Sequence, residues 1–355
     1  MQRNNFNFKN QNVYVGIDVH KQNWQVSISM AGGYEENYRM SSGNISELVT
    51  HLRSKYPGGS YYSVYESGFS GYSTHRALEK QGIKNIIVNA ADVPTMQKEK
   101  VNKTDAVDSN KLSKALMKGM LTPLYVPTEE EESLRELYRL REDRVKKLGR
   151  EKSQIKHFLH RNGIIVPKEL EKASVYWSKA FVTWLENVET TQFKRKTLDF
   201  MLKEYEWHRQ QLLSVTMELR KIMKTEHESE LTLLTSVPGV GMITAIAIIS
   251  EVGNFSRFNN ERAFASYIGL SPTCHNSGEK ESPGEITFRC NRRLRKAFIE
   301  SSWVAIRRDN ALSACFLKHK ARMNSCDAIV RIARKLSCRV LSVMKTGACY
   351  TTGIN

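Results

Sequence analysis

The segment VYVGIDVHKQNWQVSISM (Val13 to Met30) decides the fold class of the first third of the chain. It contains two apolar runs rich in β-branched and aromatic residues, VYVGIDV and WQVSISM, joined by a short polar turn. Such a pair predicts two strands of a hairpin, with Asp18 at the end of the first. A third short strand is expected near Tyr34 to Met40.

Strand and helix signals continue to alternate up to about residue 125. Asn44 can cap a helix that extends through Tyr56. YYSVYE (Tyr61 to Glu66) and NIIVN (Asn85 to Asn89) are strand-like, and a helix ending near Gln81 is expected between them. This alternation predicts a layered α/β sheet whose site lies at the carboxyl ends of its strands.

Beyond Glu129 the pattern changes to long helices. One side-chain series keeps a regular three-four spacing that is typical of a heptad seam: Leu198, Met201, Tyr205, His208, Leu212, Val215, Leu219 and Ile222. Such helices could pack within one chain or between chains, and the length of the seam favours dimerisation. We therefore expect an α/β domain over residues 1–125, a helical coiled-coil segment over 126–228 and a mainly helical C-terminal domain over 229–355.

Composition restricts the class of partner. The 355 residues carry a formal net charge of +17 and are 40% hydrophobic, which favours a folded protein that binds a polyanion. The six cysteines form no CxxC pair, so we expect reduced thiols and no zinc site. The polar N-terminus and the lack of a long apolar run predict a cytoplasmic protein, associated with the nucleoid when acting, and no membrane.

Four acidic residues are candidates for a metal site. Asp18 and Glu66 end strands, and Asp105 and Asp108 lie three apart on one face of a predicted helix. Four carboxylates in one cleft repel one another unless cations bind between them, and such oxygen ligands favour Mg²⁺ or Mn²⁺. Taken singly, each acid could be a turn or capping residue, with Asn102 or Thr104 as an alternative helix cap.

The last third contains a glycine turn and a serine loop. VPGVG (Val237 to Gly241) predicts either a helix-hairpin-helix-like phosphate contact at Gly239 and Gly241 or a turn packed in the core. Ser277 lies in a loop between Gly- and Pro-rich segments, with Ser271 and Ser282 as competing candidates. Four arginines follow this loop closely and are expected to bind nucleic acid: Arg289, Arg292, Arg293 and Arg295.

Several motifs resemble those of the DEDD-type insertion-sequence transposases, the group related to the Piv DNA invertase. In the first third these are VGIDVHK, YESGFSGY and NKTDAVDSNKL. In the last third the family pattern appears as Gly269-Leu270-Ser271-Pro272, Ser277-Gly278, Gly284-Glu285-Ile286, Asn291 and Leu294-Arg295. One position departs from the pattern, because Cys290 stands where the family usually has glycine.

The resemblance implies a ribonuclease H-like N-terminal domain similar to the junction resolvase RuvC. It implies Mg²⁺ bound by the tetrad Asp18, Glu66, Asp105 and Asp108, and Ser277 as a nucleophile that forms a covalent serine–DNA phosphoester. It further implies a recombinase acting on double-stranded donor and target DNA as a dimer or tetramer, guided by a structured RNA that the element encodes. The tetrad and the serine could come from one protomer or from two.

Three other functions fit parts of the sequence. A junction-resolving nuclease would use metal-activated water and would not need Ser277. An actin- or sugar-kinase-like ATPase opens with a strand similar to VGIDV, but such proteins follow the aspartate with a Gly-Thr phosphate loop, whereas Val19-His20-Lys21 follows here. A non-enzymatic DNA-binding protein would not need the four acids.

Overall fold

A computed structural model describes residues 8–41, 43–95, 104–277, 280–287 and 289–351. The chain forms two compact units, Met1–Val126 and Pro127–Asn355. The first unit is a mixed α/β structure and the second is mainly helical. No helix within the described ranges is both long enough and apolar enough to cross a membrane.

The first unit is built on a five-stranded sheet. Its strands are β1 (Asn12–Val19), β2 (Asn23–Met30), β3 (Glu35–Ser41), β4 (Ser60–Glu66) and β5 (Lys84–Val88). Their spatial order is β3-β2-β1-β4-β5. β1, β2 and β3 are antiparallel neighbours, whereas β4 runs parallel to β1, and β5 runs parallel to β4. The predicted strands are therefore present, with ends shifted by only one or two residues.

Helices follow the strands as the capping residues predict. The first unit contains α1 (Ile45–Lys55), α2 (Ser73–Lys80), a 3₁₀ turn (Ala90–Asp92) and α3 (Asp105–Met117). The Asn44 side chain accepts a hydrogen bond from the Glu47 amide at 3.1 Å and so caps α1. Thr104 caps α3 by accepting from the Val107 amide at 3.3 Å. The other cap candidate, Asn102, lies outside the described residues.

α3 lies unusually close to the centre of the sheet, and Gly16 makes this possible. A Cβ atom at position 16 would lie 2.0 Å from the Ser109 carbonyl oxygen and 2.5 Å from the Ser113 amide nitrogen. Two buried serine pairs join the same surfaces: Ser27 Oγ lies 2.6 Å from Ser109 Oγ, and Ser29 Oγ lies 2.8 Å from Ser113 Oγ. Small residues thus fix the position of α3 against β1 and β2.

The second unit contains nine described helices and one β-hairpin. The helices are α4 (Glu129–Arg161), α5 (Lys179–Asn187), α6 (Gln192–Thr225), α7 (Glu228–Ser236), α8 (Met242–Val252), α9 (Glu261–Ile268), α10 (Arg292–Ala305), α11 (Asn310–Lys320) and α12 (Ser325–Thr346). A 3₁₀ turn (Phe255–Arg257) precedes α9. The antiparallel hairpin consists of β6 (Pro272–Ser277) and β7 (Lys280–Ile286).

The heptad seam of α6 packs inside the chain, against α4. At one end Leu198 and Tyr205 share a buried cluster with Ile155 and Phe158. At the other end Leu219 belongs to the large core that also contains α8 and α10. The seam was predicted to form a dimer interface, and this prediction was wrong. The apolar face of α6 that the heptad pattern identifies packs against other helices of the same chain. The predicted boundary near residue 228 falls inside one compact unit for the same reason.

The segment around Ser277 is a hairpin and not the expected loop. Ser277 ends β6 and pairs with Lys280, the first residue of β7. Gly278 and Glu279 lie outside the described residues. The sequence prediction failed here because glycine and proline on both sides of the serine were interpreted as loop signals, whereas they flank and interrupt a short pair of strands.

Replacing Gly16 by alanine should loosen α3 from the sheet. The added Cβ cannot be accommodated without moving backbone atoms, and overpacking of this kind costs about 1–3 kcal/mol. Hydrogen exchange of the β1 and α3 amides should therefore be faster by about 5- to 150-fold in the full-length variant. Gly149→Ala is the control. Position 149 has open space around it within α4, so this change should leave exchange in α4 unchanged or slow it. Equal protection of α3 in wild type and Gly16→Ala would contradict the packing argument.

Candidate functional site

Two strand ends bring Asp18 and Glu66 to the same edge of the sheet. Ile17 of β1 is in register with Tyr65 of β4, so the next residue on each strand is the acid. Adjacent strands lie about 4.8 Å apart, which makes these two residues neighbours along the edge. Glu66 is also in register with Val88 at the end of β5. The carboxyl ends of three parallel strands therefore meet where the sequence predicts a site.

The first turn of α3 brings a third acid to Asp18. Ligand atoms of Asp18, His20 and Asp105 all lie within 4.8 Å of one another. His20 Nε2 lies 3.1 Å from Asp18 Oδ2 and 3.5 Å from Asp105 Oδ1. Asp108 lies one turn further along α3, where Lys111 Nζ contacts its Oδ1 at 3.1 Å. Among the described residues, neither Glu66 nor Asp108 belongs to the close group.

Burial and acidic neighbours at this edge act on the pKa of Asp18, and nearby contacts offset part of their effect. Partial burial and the negative charges of Asp105 and Asp108 raise the pKa of Asp18, while the contact with His20 opposes that shift. Arg39 approaches Asp105 Oδ2 at 3.7 Å, so nearby cationic side chains neutralise part of the charge. The donors are carboxylate oxygens and one imidazole nitrogen, a set that can hold a hard divalent cation.

Sequence reasoning missed His20 as part of this group. His20 lies in the motif VGIDVHK and distinguishes the chain from kinase-like proteins, but it was not among the predicted ligands. Its position two residues after Asp18 was the available signal, because alternate residues of an extended segment point to the same side. His20 is 46% exposed, so solvent or a substrate can reach it.

The second unit contains a buried carboxylate that sequence reasoning also missed. Glu251 lies near the end of the apolar helix α8 and is 0% exposed. Arg139 of α4 donates to it through Nε and one terminal nitrogen, both at 2.8 Å. Asn291, the cap of α10, donates its side-chain amide at 2.8 Å. The Tyr267 hydroxyl donates to the Glu251 carbonyl oxygen at 2.9 Å.

This network keeps Glu251 charged although it is buried. Burial alone would raise its pKa, but the hydrogen bonds and charge of Arg139, with help from Asn291 and Arg293, hold that pKa below its ordinary value. The Arg139 side chain is 45% exposed, so only the carboxylate of this pair is buried, and removing Arg139 would leave that buried charge without its main partner. Glu251 therefore fixes α4, α8 and the start of α10 to one another.

The family motif around Gly269 packs against the residue that departs from the family pattern. Gly269 has a φ of +82°, and a Cβ there would lie 2.4 Å from the Cys290 Cβ. One terminal nitrogen of Arg295 donates to Cys290 Sγ at 2.8 Å and to the Thr287 carbonyl oxygen. The guanidinium of Arg295 thus holds the segment between the hairpin and α10.

The other predicted nucleic-acid contacts have different surroundings. Arg292 is exposed at the start of α10 and Arg289 is exposed before it, while Arg293 Nε lies 4.0 Å from the buried Glu251.

In the glycine turn, Gly239 has a φ of +91° and a Cβ there would lie 2.4 Å from the Ser301 carbonyl oxygen. Gly241 is exposed, with nothing near a Cβ. Packing thus explains Gly239, and Gly241 remains accessible.

The three candidate serines occupy distinct places. Ser271 precedes β6, and its hydroxyl is buried without a hydrogen-bond partner among the described residues. Ser277 ends β6, and Ser282 lies within β7. A buried hydroxyl cannot reach a phosphate without rearrangement, which disfavours Ser271.

Two family models match different segments of the chain. A model described as Transposase, of the IS110 DEDD type, matches residues 15–163. A model described as the Transposase IS116/IS110/IS902 family matches residues 231–316. The first match covers all four acids of the predicted tetrad, and the second covers Glu251, the glycine turn and the hairpin.

Relatives extend over most of the chain. Two Sinorhizobium fredii proteins with provisional transposase names are 26% and 25% identical to it. Their alignments cover 82% and 91% of this chain and 71% and 89% of the relatives. The transposase for insertion sequence element IS1533 of Leptospira borgpetersenii is 24% identical, over 70% of this chain and 72% of its own length. The chain therefore belongs to the IS110/IS116/IS902 family of transposases, which are enzymes that cut and rejoin DNA.

Proposed function

We propose that this transposase cuts DNA at the sheet edge formed by Asp18, Glu66, Asp105 and Asp108, with Ser277 as the nucleophile. The observation that carries the metal site is the approach of α3 to β1, which brings Asp105 and Asp18 into one group with His20. The order β3-β2-β1-β4-β5, with acids after β1 and β4, supports a ribonuclease H-like, RuvC-like fold for the first unit. The second unit would carry the serine on the tip of the β6–β7 hairpin.

The carboxylates would hold Mg²⁺, with Mn²⁺ as a substitute. Bound there, such an ion neutralises developing charge and lowers the pKa of a coordinated oxygen. The chain's own residues position the four acids. The strand ends hold Asp18 and Glu66, and the serine contacts between α3 and the sheet position Asp105 and Asp108. His20 orients Asp18 through their 3.1 Å contact.

The proposed chemical step is a transesterification. The Ser277 hydroxyl gives up its proton to solvent and attacks a backbone phosphorus, forming a serine–phosphate bond as the bond to the 3′ oxygen breaks, and that oxygen takes up a proton from solvent and leaves as a 3′ hydroxyl. Strand exchange reverses the step, when a 3′ hydroxyl attacks the phosphoserine and releases the serine. A junction-resolving nuclease that uses water remains the alternative, and it differs in leaving free 5′-phosphates.

Nucleic acid would be held by exposed cations and by the glycine turn. Arg292 and Arg289 follow the hairpin and are exposed, which supports phosphate contact near the cut. The short helices α7 and α8 are joined by the glycine turn Val237 to Gly241. This arrangement supports a helix-hairpin-helix-like phosphate contact at Gly241. The net charge of +17 also suits a structured guide RNA, which we propose from the family resemblance.

A homo-oligomer would use the face of α6 that is opposite the buried seam. Three large aromatic side chains recur there every seven residues, and each is at least half exposed: Phe193, Phe200 and Trp207. Met217 continues the same side and is 68% exposed. Seven-residue spacing keeps side chains on one face of a helix that pairs with another, which supports a second copy of the chain as the partner.

Asp105→Asn should abolish strand cleavage while leaving DNA binding nearly intact. Even the groups that merely orient metal ligands cost about 10- to 100-fold when removed, so loss of a ligand should lower the cleavage rate by at least about 100-fold. A plasmid cleavage assay with Mg²⁺ measures this. Asp143→Asn, an exposed aspartate of α4, is the matched control and should cleave normally. Undiminished cleavage by Asp105→Asn would remove this residue from the site.

Ser277 should become covalently attached to DNA. A hydroxyl is a poor nucleophile unless its proton is removed, so the adduct should require both Mg²⁺ and Asp105. A nicked substrate whose cut strand diffuses away should trap the adduct for denaturing electrophoresis and peptide mapping. Ser277→Ala should lose it, whereas Ser271→Ala and Ser282→Ala should keep it. Cleavage that yields only free 5′-phosphates would favour the nuclease alternative, and an adduct on another serine would correct the residue.

Replacing Phe193, Phe200 and Trp207 together by serine should shift the full-length protein towards monomer. Each aromatic side chain would bury a large apolar area in an interface, and losing three should raise the dissociation constant by at least about 100-fold. Light scattering across a concentration series measures the change. Leu317→Ser, at an equally exposed leucine of α11, should leave the mass unchanged. If wild type and the triple variant have the same mass at every concentration, this face is not the interface.

A further inference from the structure

A group of exposed cations lies where α11 turns into α12. It consists of Lys318 near the end of α11, Arg322 in the turn, and Arg331 and Lys335 one helical turn apart on α12. Backbone hydrogen bonds close the turn, because the Arg322 and Met323 amides donate to the His319 carbonyl oxygen at 2.9 and 3.1 Å. Below it, Phe316 and Ile329 pack into the main core. The four cations, which we call the α11–α12 surface, therefore rest on a rigid support.

The positive charges of the four side chains all affect one residue, His319. His319 is the common neighbour: partial burial, together with the positive charges of all four side chains, lowers its pKa. The four cations, three on the two helices and Arg322 in the turn between them, are thus close enough to influence a single imidazole. Their mutual repulsion costs free energy unless an anion binds among them.

No acid within the described ranges relieves this repulsion. None of the four cations forms an ion pair with a described residue, although other cations of the same unit do, as Arg339 does with Asp309 at 2.6 Å and Lys296 does with Glu300 at 3.8 Å. Asp327 is the nearest acid in sequence, and its carboxylate accepts a hydrogen bond at 2.6 Å from the side chain of Asn324, the residue that caps α12. A surface that is merely solvated usually mixes signs, so this one is suited to a polyanion.

We propose that the α11–α12 surface binds the phosphate backbone of duplex DNA through residues other than those of the proposed cut site. The inference rests on the family's DNA-cutting activity and does not depend on which residue is the nucleophile. A transposase must hold the duplex beside the cut, and the charged side chains here are ones that contact phosphates. They are exposed lysines and arginines on the two helices and in the turn between them. If they contact only phosphates, as we propose, binding by this surface is independent of DNA sequence.

A charge-matched pair of variants tests the proposal. The first carries Lys318→Gln, Arg322→Gln, Arg331→Gln and Lys335→Gln. The second carries Lys172→Gln, Arg220→Gln, Lys221→Gln and Lys224→Gln, at exposed cations elsewhere in the same unit. Each removes four positive charges, so both lower the net charge from +17 by the same amount. Exposed substitutions of this type change folding stability little.

Affinity for a long duplex is measured across a range of salt concentrations, with specific and scrambled sequences. Each lost phosphate contact reduces the log–log salt slope by about 0.9, so the first variant should lose about 3 to 4 units of slope on both duplexes. The control should keep nearly the wild-type slope. The Ser277 adduct, formed at low salt on a short nicked substrate, should persist in the first variant, which separates this proposal from the nucleophile assignment.

Three outcomes would overturn the proposal. An unchanged slope in the first variant would mean that the four cations face solvent in the complex. Equal losses in both variants would assign the effect to net charge and not to this surface. Loss of binding to a structured RNA, with duplex affinity intact, would identify RNA as the partner of these helices.

Discussion

The candidate chemistry of the first unit depends on how closely α3 can approach β1. Because Gly16 has no side chain, the backbone of α3 comes into contact with the sheet at Ser109 and Ser113. That contact determines where the first turn of α3 lies, and hence the distance between Asp105 and Asp18. A helix lying even one methyl group further from the sheet would move Asp105 away from Asp18, and the proposed metal site needs both acids together. The buried serine pairs then fix the lateral position, since each hydroxyl has a partner on the other element.

The elements of the first unit could be predicted because their signals are local. Apolar alternation predicted the strands, and Asn44 and Thr104 marked helix starts by capping chemistry. The sequence also predicted that Asp18 and Glu66 lie close together, since parallel strands end at the same edge of a sheet. The part played by His20 could not, because its contact with Asp105 depends on where a distant helix comes to rest.

The second unit was harder to predict because its structure depends on contacts between residues that are far apart in the sequence. A heptad pattern identifies the apolar face of α6 but does not name the helix that covers it, and here that helix is α4 of the same chain. An acid within an apolar helix such as α8 gives no clue to its partners, because Arg139 is 112 positions away from Glu251. The hairpin that carries Ser277 was missed for a related reason. Strand pairing across a short turn outweighs the local preference of glycine and proline for loops.

The pairing of Arg139 with Glu251 has a consequence for how such proteins can diverge. Arg139 lies in the segment matched by one family model, and Glu251 lies in the segment matched by the other. The two segments look like separable modules along the chain, yet they share an ion pair whose carboxylate is buried, with two hydrogen bonds at 2.8 Å. A chimera that keeps Glu251 but takes the other half from a relative with a different residue at position 139 would bury an unbalanced charge. Gene shuffling between family members should therefore succeed only where both positions are inherited together or are already compatible.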